Sequence, residues 1–313
     1  MSETPLYQQL KGLDTEQQNR NTQTIDTASS LEIVQMMNRE DKLVAAAVEH
    51  KLTAIATAVE RITESLKRGG RLLYFGAGTS GRLGVLDAAE CPPTFGTDPD
   101  TVQGFIAGGR EAMFRAQEGA EDAEENGIRA AKEAAVSGRD VVVGLAASGR
   151  TPYVHGALQY AQEVGAYTIF ITTVPAKQVR QKADCMIDVP VGPEAIMGST
   201  RLKSATAQKM VLNMLSTGAM VRLGKVFENV MVDLQLTNQK LEERARRIIC
   251  HFTDADYNEA EELLKEADHH VKTALVMKLK NLTRSEAEKR LLEHDGFVRT
   301  VLESNPSDKS RTR

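Results

Sequence analysis

Residues 76–81, Gly76-Ala77-Gly78-Thr79-Ser80-Gly81, sit between a short apolar run and a helical pattern. Glycines at this spacing match the dinucleotide-binding fingerprint, where they allow a tight turn and close approach of backbone to pyrophosphate. That fingerprint also needs an acidic residue about twenty positions further on, to hold a ribose hydroxyl at the tip of the second strand. Residues 102–109, Val-Gln-Gly-Phe-Ile-Ala-Gly-Gly, have no carboxylate there. No Lys follows the glycines either, as a nucleotide P-loop requires. What is present is a pair of hydroxyls, Thr79 and Ser80, beside backbone N–H groups at the positive end of a helix dipole. Such a cradle suits a phosphomonoester, although the same hydroxyls could serve only as helix caps.

A second loop has the same design. Ala146-Ala147-Ser148-Gly149-Arg150-Thr151-Pro152 follows an apolar run, and its Pro marks a helix start. Two such strand-tip loops in one parallel sheet can close on one phosphate, and Arg150 either balances an anion or is exposed helix charge. Two carboxylates lie downstream of the first two strands, Glu90 and Glu121. By residue type alone, Glu90 reads as a solvated helix end and Glu121 as one member of an acidic run. His155, His251, His269, His270 and His294 show no metal-ligand spacing. Cys91, Cys185 and Cys250 are odd in number and unpaired in spacing, which fits reduced thiols in a cytoplasmic protein.

Composition narrows the partners. Hydrophobic residues are 41% and charged residues 26%, ordinary globular usage. Aromatics are 4% with no Trp, which leaves little for base stacking, and the net charge of −4 gives no attraction to nucleic acid. No run of about 18 apolar residues is present, so neither a membrane span nor a signal core is expected.

The elements that must position these groups follow from periodicity. Residues 1–30 are rich in Gln, Asn, Thr and Ser and read as an irregular arm. Helical spacing returns over 31–37. A long amphipathic helix opens at Asp41, with Leu43, Ile55, Ile62 and Leu66 on its stripe, and ends at Gly69-Gly70. Short strands are expected at 72–75, 102–106, 140–145, 167–172 and 185–189. Helices are expected after the first loop to Glu90, stopped by Pro92-Pro93, and over 111–136 and 152–164. Strands alternating with helices predict an α/β fold, a doubly wound parallel five-stranded sheet flanked by helices, with ligands beyond the carboxyl ends of its strands. From Arg201 the chain reads as helical almost to its end: an apolar helix over 206–223 continuing to 247, then short helices at 254–265, 267–278 and 285–294. This small bundle offers no basic recognition face. The expected organisation is an N-terminal arm and helix at 1–50, a sugar-phosphate-binding domain at 51–230, a C-terminal helical subdomain at 231–303 and a tail at 304–313.

At this point the residues resemble a known family. Gly76-Ala77-Gly78-Thr79-Ser80-Gly81-Arg82 and Ala147-Ser148-Gly149-Arg150-Thr151 resemble the two phosphate loops of the SIS (sugar isomerase) domain. More narrowly, Leu86-Asp87-Ala88-Ala89-Glu90-Cys91-Pro92-Pro93-Thr94-Phe95 and Glu118-Gly119-Ala120-Glu121-Asp122 are similar to the N-acetylmuramic acid 6-phosphate etherase family. So is Gly192-Pro193-Glu194-Ala195-Ile196-Met197-Gly198-Ser199-Thr200-Arg201-Leu202-Lys203. The likeness runs from Asn21-Thr22-Gln23 to His294-Asp295-Gly296-Phe297, nearly the whole chain, with a somewhat extended arm.

The resemblance implies an SIS fold, a homodimer, no metal, no cofactor, and cleavage of the D-lactyl ether of N-acetylmuramic acid 6-phosphate in cell-wall sugar recycling. It carries catalytic roles onto Glu90, as the acid for departing lactate, and Glu121, as a second acid or base. Substrate-binding positions are Gly78, Thr79 and Ser80 in the first loop and Ser148, Gly149, Arg150 and Thr151 in the second. Glu194 and Ser199 precede a helix and either close the pocket or cap that helix. The ether lies beta to the carbonyl of the ring-opened sugar, so loss of the C2 proton can expel lactate from C3 before water adds back. Those steps need an acid and a base with separated pKa values. Two alternatives remain: a sugar-phosphate sensor like the glucokinase regulatory proteins, and an aldose–ketose isomerase.

Overall fold

A computed structural model describes residues 12–236 and 238–304, and within them the chain forms two compact units. One holds the chain up to Ala89 together with Asp100–Ser216; the other holds Glu90–Pro99 and the chain from Thr217. The first eleven residues of the arm and the tail beyond Ser304 lie outside the described residues.

In the first unit, α1 (Ser30–Glu49) and α2 (Leu52–Lys67) lead into β1 (Leu72–Gly76) and α3 (Gly78–Phe95). Then come β2 (Val102–Ile106), α4 (Glu124–Glu133), β3 (Val141–Leu145), α5 (Pro152–Glu163), β4 (Tyr167–Thr172), β5 (Cys185–Asp188) and α6 (Lys203–Arg222). The five strands are all parallel in the order β2-β1-β3-β4-β5, with Gly76 beside Leu145 at the strand tips. β1 and β3 are buried along their length, which is why both read as continuous apolar runs. On one face Leu73, Phe75, Val142 and Phe170 pack with Val154 and Leu158 of α5. On the other, a side chain at Gly84 of α3 would meet Tyr74 and Leu145, and the Tyr74 hydroxyl donates to Asp87 of α3 at 2.9 Å.

Chain order reverses between β1 and β3, because β2 lies to one side of β1 and β3 to the other. In a doubly wound sheet this switch point opens a crevice beyond the strand tips.

Several local expectations are corrected. The helix expected from Asp41 starts at Ser30 instead, where Ser29 and Glu32 form a capping box. It also breaks at His50–Lys51, so one expected helix is two. Lys51 leaves helical geometry and its ammonium pairs with Asp188 at 2.8 Å. Pro92 and Pro93 do not stop α3, which runs through them to Phe95. The prolines cost two backbone donors, yet the turn closes with Gly96 N–H on Pro92 O at 2.9 Å, and Cys91 and Phe95, one turn apart, are both buried. The helix expected over 111–136 is mostly loop. Gly108, Gly109 and Gly119 hold positive φ, and regular helix begins only at Glu124.

In the second unit the long helix does not continue to Arg247. It ends at Arg222, Gly224 turns at φ 70°, and β6 (Val226–Phe227) and β7 (Val230–Met231) form a hairpin. α7 (Gln239–Phe252), α8 (Tyr257–Glu266), α9 (Val271–Lys280), α10 (Arg284–Glu293) and α11 (Val298–Glu303) then enclose a core of Leu241, Ile249, Leu264, Leu275 and Leu291.

Candidate active site

The two loops flank the switch point. After β1, Gly76 and Gly81 close on each other so tightly that a Cβ on Gly81 would lie 2.7 Å from Gly76 O. Gly81 N–H reaches Ala77 O at 3.1 Å, and Ala107 N–H holds Gly76 O at 3.0 Å. Gly78 adopts φ 52° with open space around it, so its requirement is conformational rather than steric. α3 therefore begins with the N–H groups of Gly78, Thr79 and Ser80 unclaimed by its own ladder.

After β3, Gly149 takes φ 69° and its N–H bonds Ala146 O at 3.0 Å. A side chain there would strike Val179. The loop is braced from behind. Thr173 Oγ1 donates to Ala147 O at 3.0 Å and lies 2.9 Å from the Ser204 hydroxyl, while His155 Nε2 lies 3.0 Å from Gly149 O. Thr151 is the N-cap of α5, yet its side chain makes no capping bond. Thr79, Ser80, Ser148 and Thr151 are half-buried, and none of these hydroxyls bonds to another described residue. These four hydroxyls stand at two helix starts on adjacent strand tips.

Glu121 lies on the loop between β2 and α4. Its carbonyl accepts from Tyr153 N–H at 3.0 Å, which ties it to the first turn of α5, two residues past Thr151. The residue is exposed as a whole, yet partial desolvation of its carboxyl pushes its pKa up, and the neighbouring Asp122 and Glu118 charges add to the rise. Glu90 is exposed on α3, just past the point where that helix enters the second unit. Arg150 is half-buried beside a cavity of about 550 Å³ that also touches Gly149, His155 and Arg180.

Glu194 is placed at the start of α6. It is 0% exposed, and its two oxygens accept from the N–H groups of Lys203 and Ser204, each at 2.9 Å. It caps α6, one of the two uses the sequence left open. Ser199 lies half-buried on the loop before α6.

Sequence comparison identifies the family. The SIS domain model matches residues 112–218, and the model of the glucokinase regulatory protein N-terminal SIS domain matches 54–162. The N-acetylmuramic acid 6-phosphate etherase of Salinibacter ruber is 55% identical over 96% of this chain and 97% of its own length. That of Clostridium beijerinckii is 53% identical over 94% of this chain and 97% of its own. The chain belongs to the N-acetylmuramic acid 6-phosphate etherase family. A phosphoheptose isomerase structure from Francisella tularensis is 12% identical with a TM-score of 0.45, covering 62% of this chain and 100% of that one.

In this etherase-family chain, residues that site reasoning passed over hold the loop carrying Ser199. Asn19 Nδ2 donates to Pro193 O at 3.1 Å, Thr22 Oγ1 to Ala195 O at 2.8 Å, and Gly198 N–H to Thr15 O at 3.1 Å. Lys203, beneath that loop, is 1% exposed and pairs with Glu40 at 2.6 Å. No local signal marked Asn19 or Thr22, because their partners are more than 170 residues away.

Proposed function

We propose that the protein is a carbon–oxygen lyase that cleaves the D-lactyl ether of N-acetylmuramic acid 6-phosphate, giving N-acetylglucosamine 6-phosphate and D-lactate. The observation that carries this reading is identity above 50% across more than nine-tenths of both chains with etherases of that name. The cradle at Gly78, Thr79, Ser80, Ser148, Gly149 and Thr151 supports it, because the substrate offers one phosphomonoester to two helix starts.

In the proposed chemistry the C2–H bond of the open-chain sugar breaks, and the electron pair left on C2 is delocalised into the C1 carbonyl. The C3–O bond then breaks, and lactate leaves with a proton. Water adds at C3 of the unsaturated aldehyde while C2 regains a proton, so the net change is addition of one water. Glu90 and Glu121 divide these transfers: Glu90 protonates the departing lactate, and Glu121 serves as the second acid or base. The raised pKa of Glu121 suits a group that must both hold and release a proton. Arg150 contributes positive charge beside the second loop, and Ser199 approaches from the loop before α6. The homodimer implied by the resemblance is part of this reading. Exposed Leu31, Val34 and Leu43 on α1 give it an apolar surface, and sedimentation measures it. The workplace is the cytoplasm, where Cys91, Cys185 and Cys250 stay reduced.

Incubation with N-acetylmuramic acid 6-phosphate and enzymatic assay of D-lactate tests the reading. Lactate and N-acetylglucosamine 6-phosphate should appear in equal amounts. Binding without lactate would favour a sensor, and a ketose product without lactate an isomerase. Glu90→Ala and Glu121→Ala should each bind substrate and lose turnover, by a factor on the order of 100 or more. Ser80→Ala and Ser148→Ala should raise KM with little change in kcat, and only for phosphorylated sugar.

A further inference from the structure

The second unit carries a charged surface that the etherase chemistry does not use. Lys240, Arg244, Arg247 and His251 recur on α7 at intervals of four, three and four residues. At about 100° per residue these positions fall within a sector of roughly 60° on a stripe roughly 16 Å long. The opposite side of α7 buries Leu241, Ala245 and Ile249 in the core, so the stripe faces outward. This corrects the expectation that the bundle has no basic face. That expectation fails because α7 separates from α6 and turns its basic residues to one side.

The stripe differs from much of its own unit. Several surface cations there are paired with acids: Lys265 with Glu261 and Glu262, Lys278 with Asp254 and Glu259, Arg284 with Asp268 and Glu288. Lys240, Arg244 and Arg247 form no ion pair among the described residues, and Arg244 points a nitrogen at the Met231 sulfur, 3.7 Å away, a weak acceptor. Like charges at i, i+4 disfavour the helix that carries them. The acid at the border, Glu243, is engaged by the Tyr257 hydroxyl at 2.7 Å and by Arg246 at 3.4 Å. Beside the stripe, Val230, Ile248 and Phe252 floor a groove of about 490 Å³.

We propose that this face of α7 docks an acidic peptide segment of a partner protein, its carboxylates along the cations and an apolar side chain in the groove. Three cations, Lys240, Arg244 and Arg247, spread along roughly 10 Å of helix and match about three residues of extended chain at ~3.3 Å each, whereas a single phosphate would be gripped at one point. Nucleic acid fits less well. The chain is net negative, and the Phe252 ring is taken up by Phe227 and His251, with centroids at 4.9 and 4.7 Å, so it offers no stacking platform.

The test is fluorescence polarisation of the full-length protein with a labelled heptapeptide alternating Glu or Asp with Leu, at low salt. Saturable micromolar binding is expected, absent when the acids are replaced by Gln and Asn. Arg244→Glu with Arg247→Glu should weaken it by a factor on the order of ten or more, with D-lactate release and melting temperature unchanged. Lys240→Gln with Arg247→Gln, both exposed, provides a milder pair should charge reversal disturb folding. No saturable binding, equal binding by both variant pairs, or tighter binding of an oligonucleotide of equal charge would overturn the proposal.

Discussion

Lys203 shows how much a single buried charge is asked to do. Its ammonium pairs with Glu40 at 2.6 Å, its N–H holds Glu194, and the side chain is almost wholly out of water. Burial works to raise the pKa of Glu40, but Lys203 and the amides of Asn21 and Asn19 more than offset it, so the carboxyl stays charged. Removing one partner strands the other. Lys203→Met should therefore cost about 3–5 kcal/mol, and Glu40→Leu added to it should recover most of that loss. Urea midpoints of the two single variants and the double variant measure this. If the double variant were no more stable than Lys203→Met, the stranded charge would not be the cause.

At the scale of elements, the 3₁₀ turns at Asp14–Glu16 and Arg20–Thr22 act as a strap across residues 193–198. The Thr22 hydroxyl is buried and spans 173 residues to Ala195 O. Thr22→Val keeps the volume and removes the bond, at about 1 kcal/mol. Because that loop carries Ser199, KM for the sugar phosphate should rise while kcat holds, and Thr22→Ser should restore it. Steady-state kinetics decide: a fall in kcat alone would unlink the strap from binding. The strands and both glycine loops could be anticipated because short continuous apolar runs, glycine turns and hydroxyls at helix starts are local signals. The strap could not, since nothing within a few residues of Thr22 says what it will meet.

For the whole molecule, two buried aspartates pull stability in opposite directions as pH changes. Burial works to raise the Asp140 pKa, but two bonds from the Arg71 guanidinium and two from Ser137 outweigh it, and the net shift is downward. Its stabilisation is present at neutral pH and is lost below about pH 4, as protons reach the folded state. Asp140→Asn should cost about 2 kcal/mol at pH 7 and progressively less in acid. Asp87 is the reverse. Burial raises its pKa despite bonds from Tyr74 and Ser216, so the folded state carries the cost of a buried carboxylate at neutral pH and is relieved of it as pH falls. Asp87→Asn should thus compare better with the parent at pH 7 than at pH 5. Melting temperatures across pH 3–8 check both, and parallel curves for the two variants would refute the assignment.

The amino-acid sequence by itself determined the alternation of strand and helix, the two glycine loops, the choice of phosphomonoester over dinucleotide, and the family. Each rests on neighbours within a few positions or on motifs long enough to be specific. Only the tertiary structure decided that Glu194 caps α6, its carboxylate accepting from the N–H groups of Lys203 and Ser204. It also decided that α3 continues through Pro92 and Pro93, and that the chain past Gly224 folds into a hairpin before α7 turns a basic face outward. A donor's partner, a proline's cost and a helix's outward face depend on groups brought together from distant positions, and local periodicity carries no record of them.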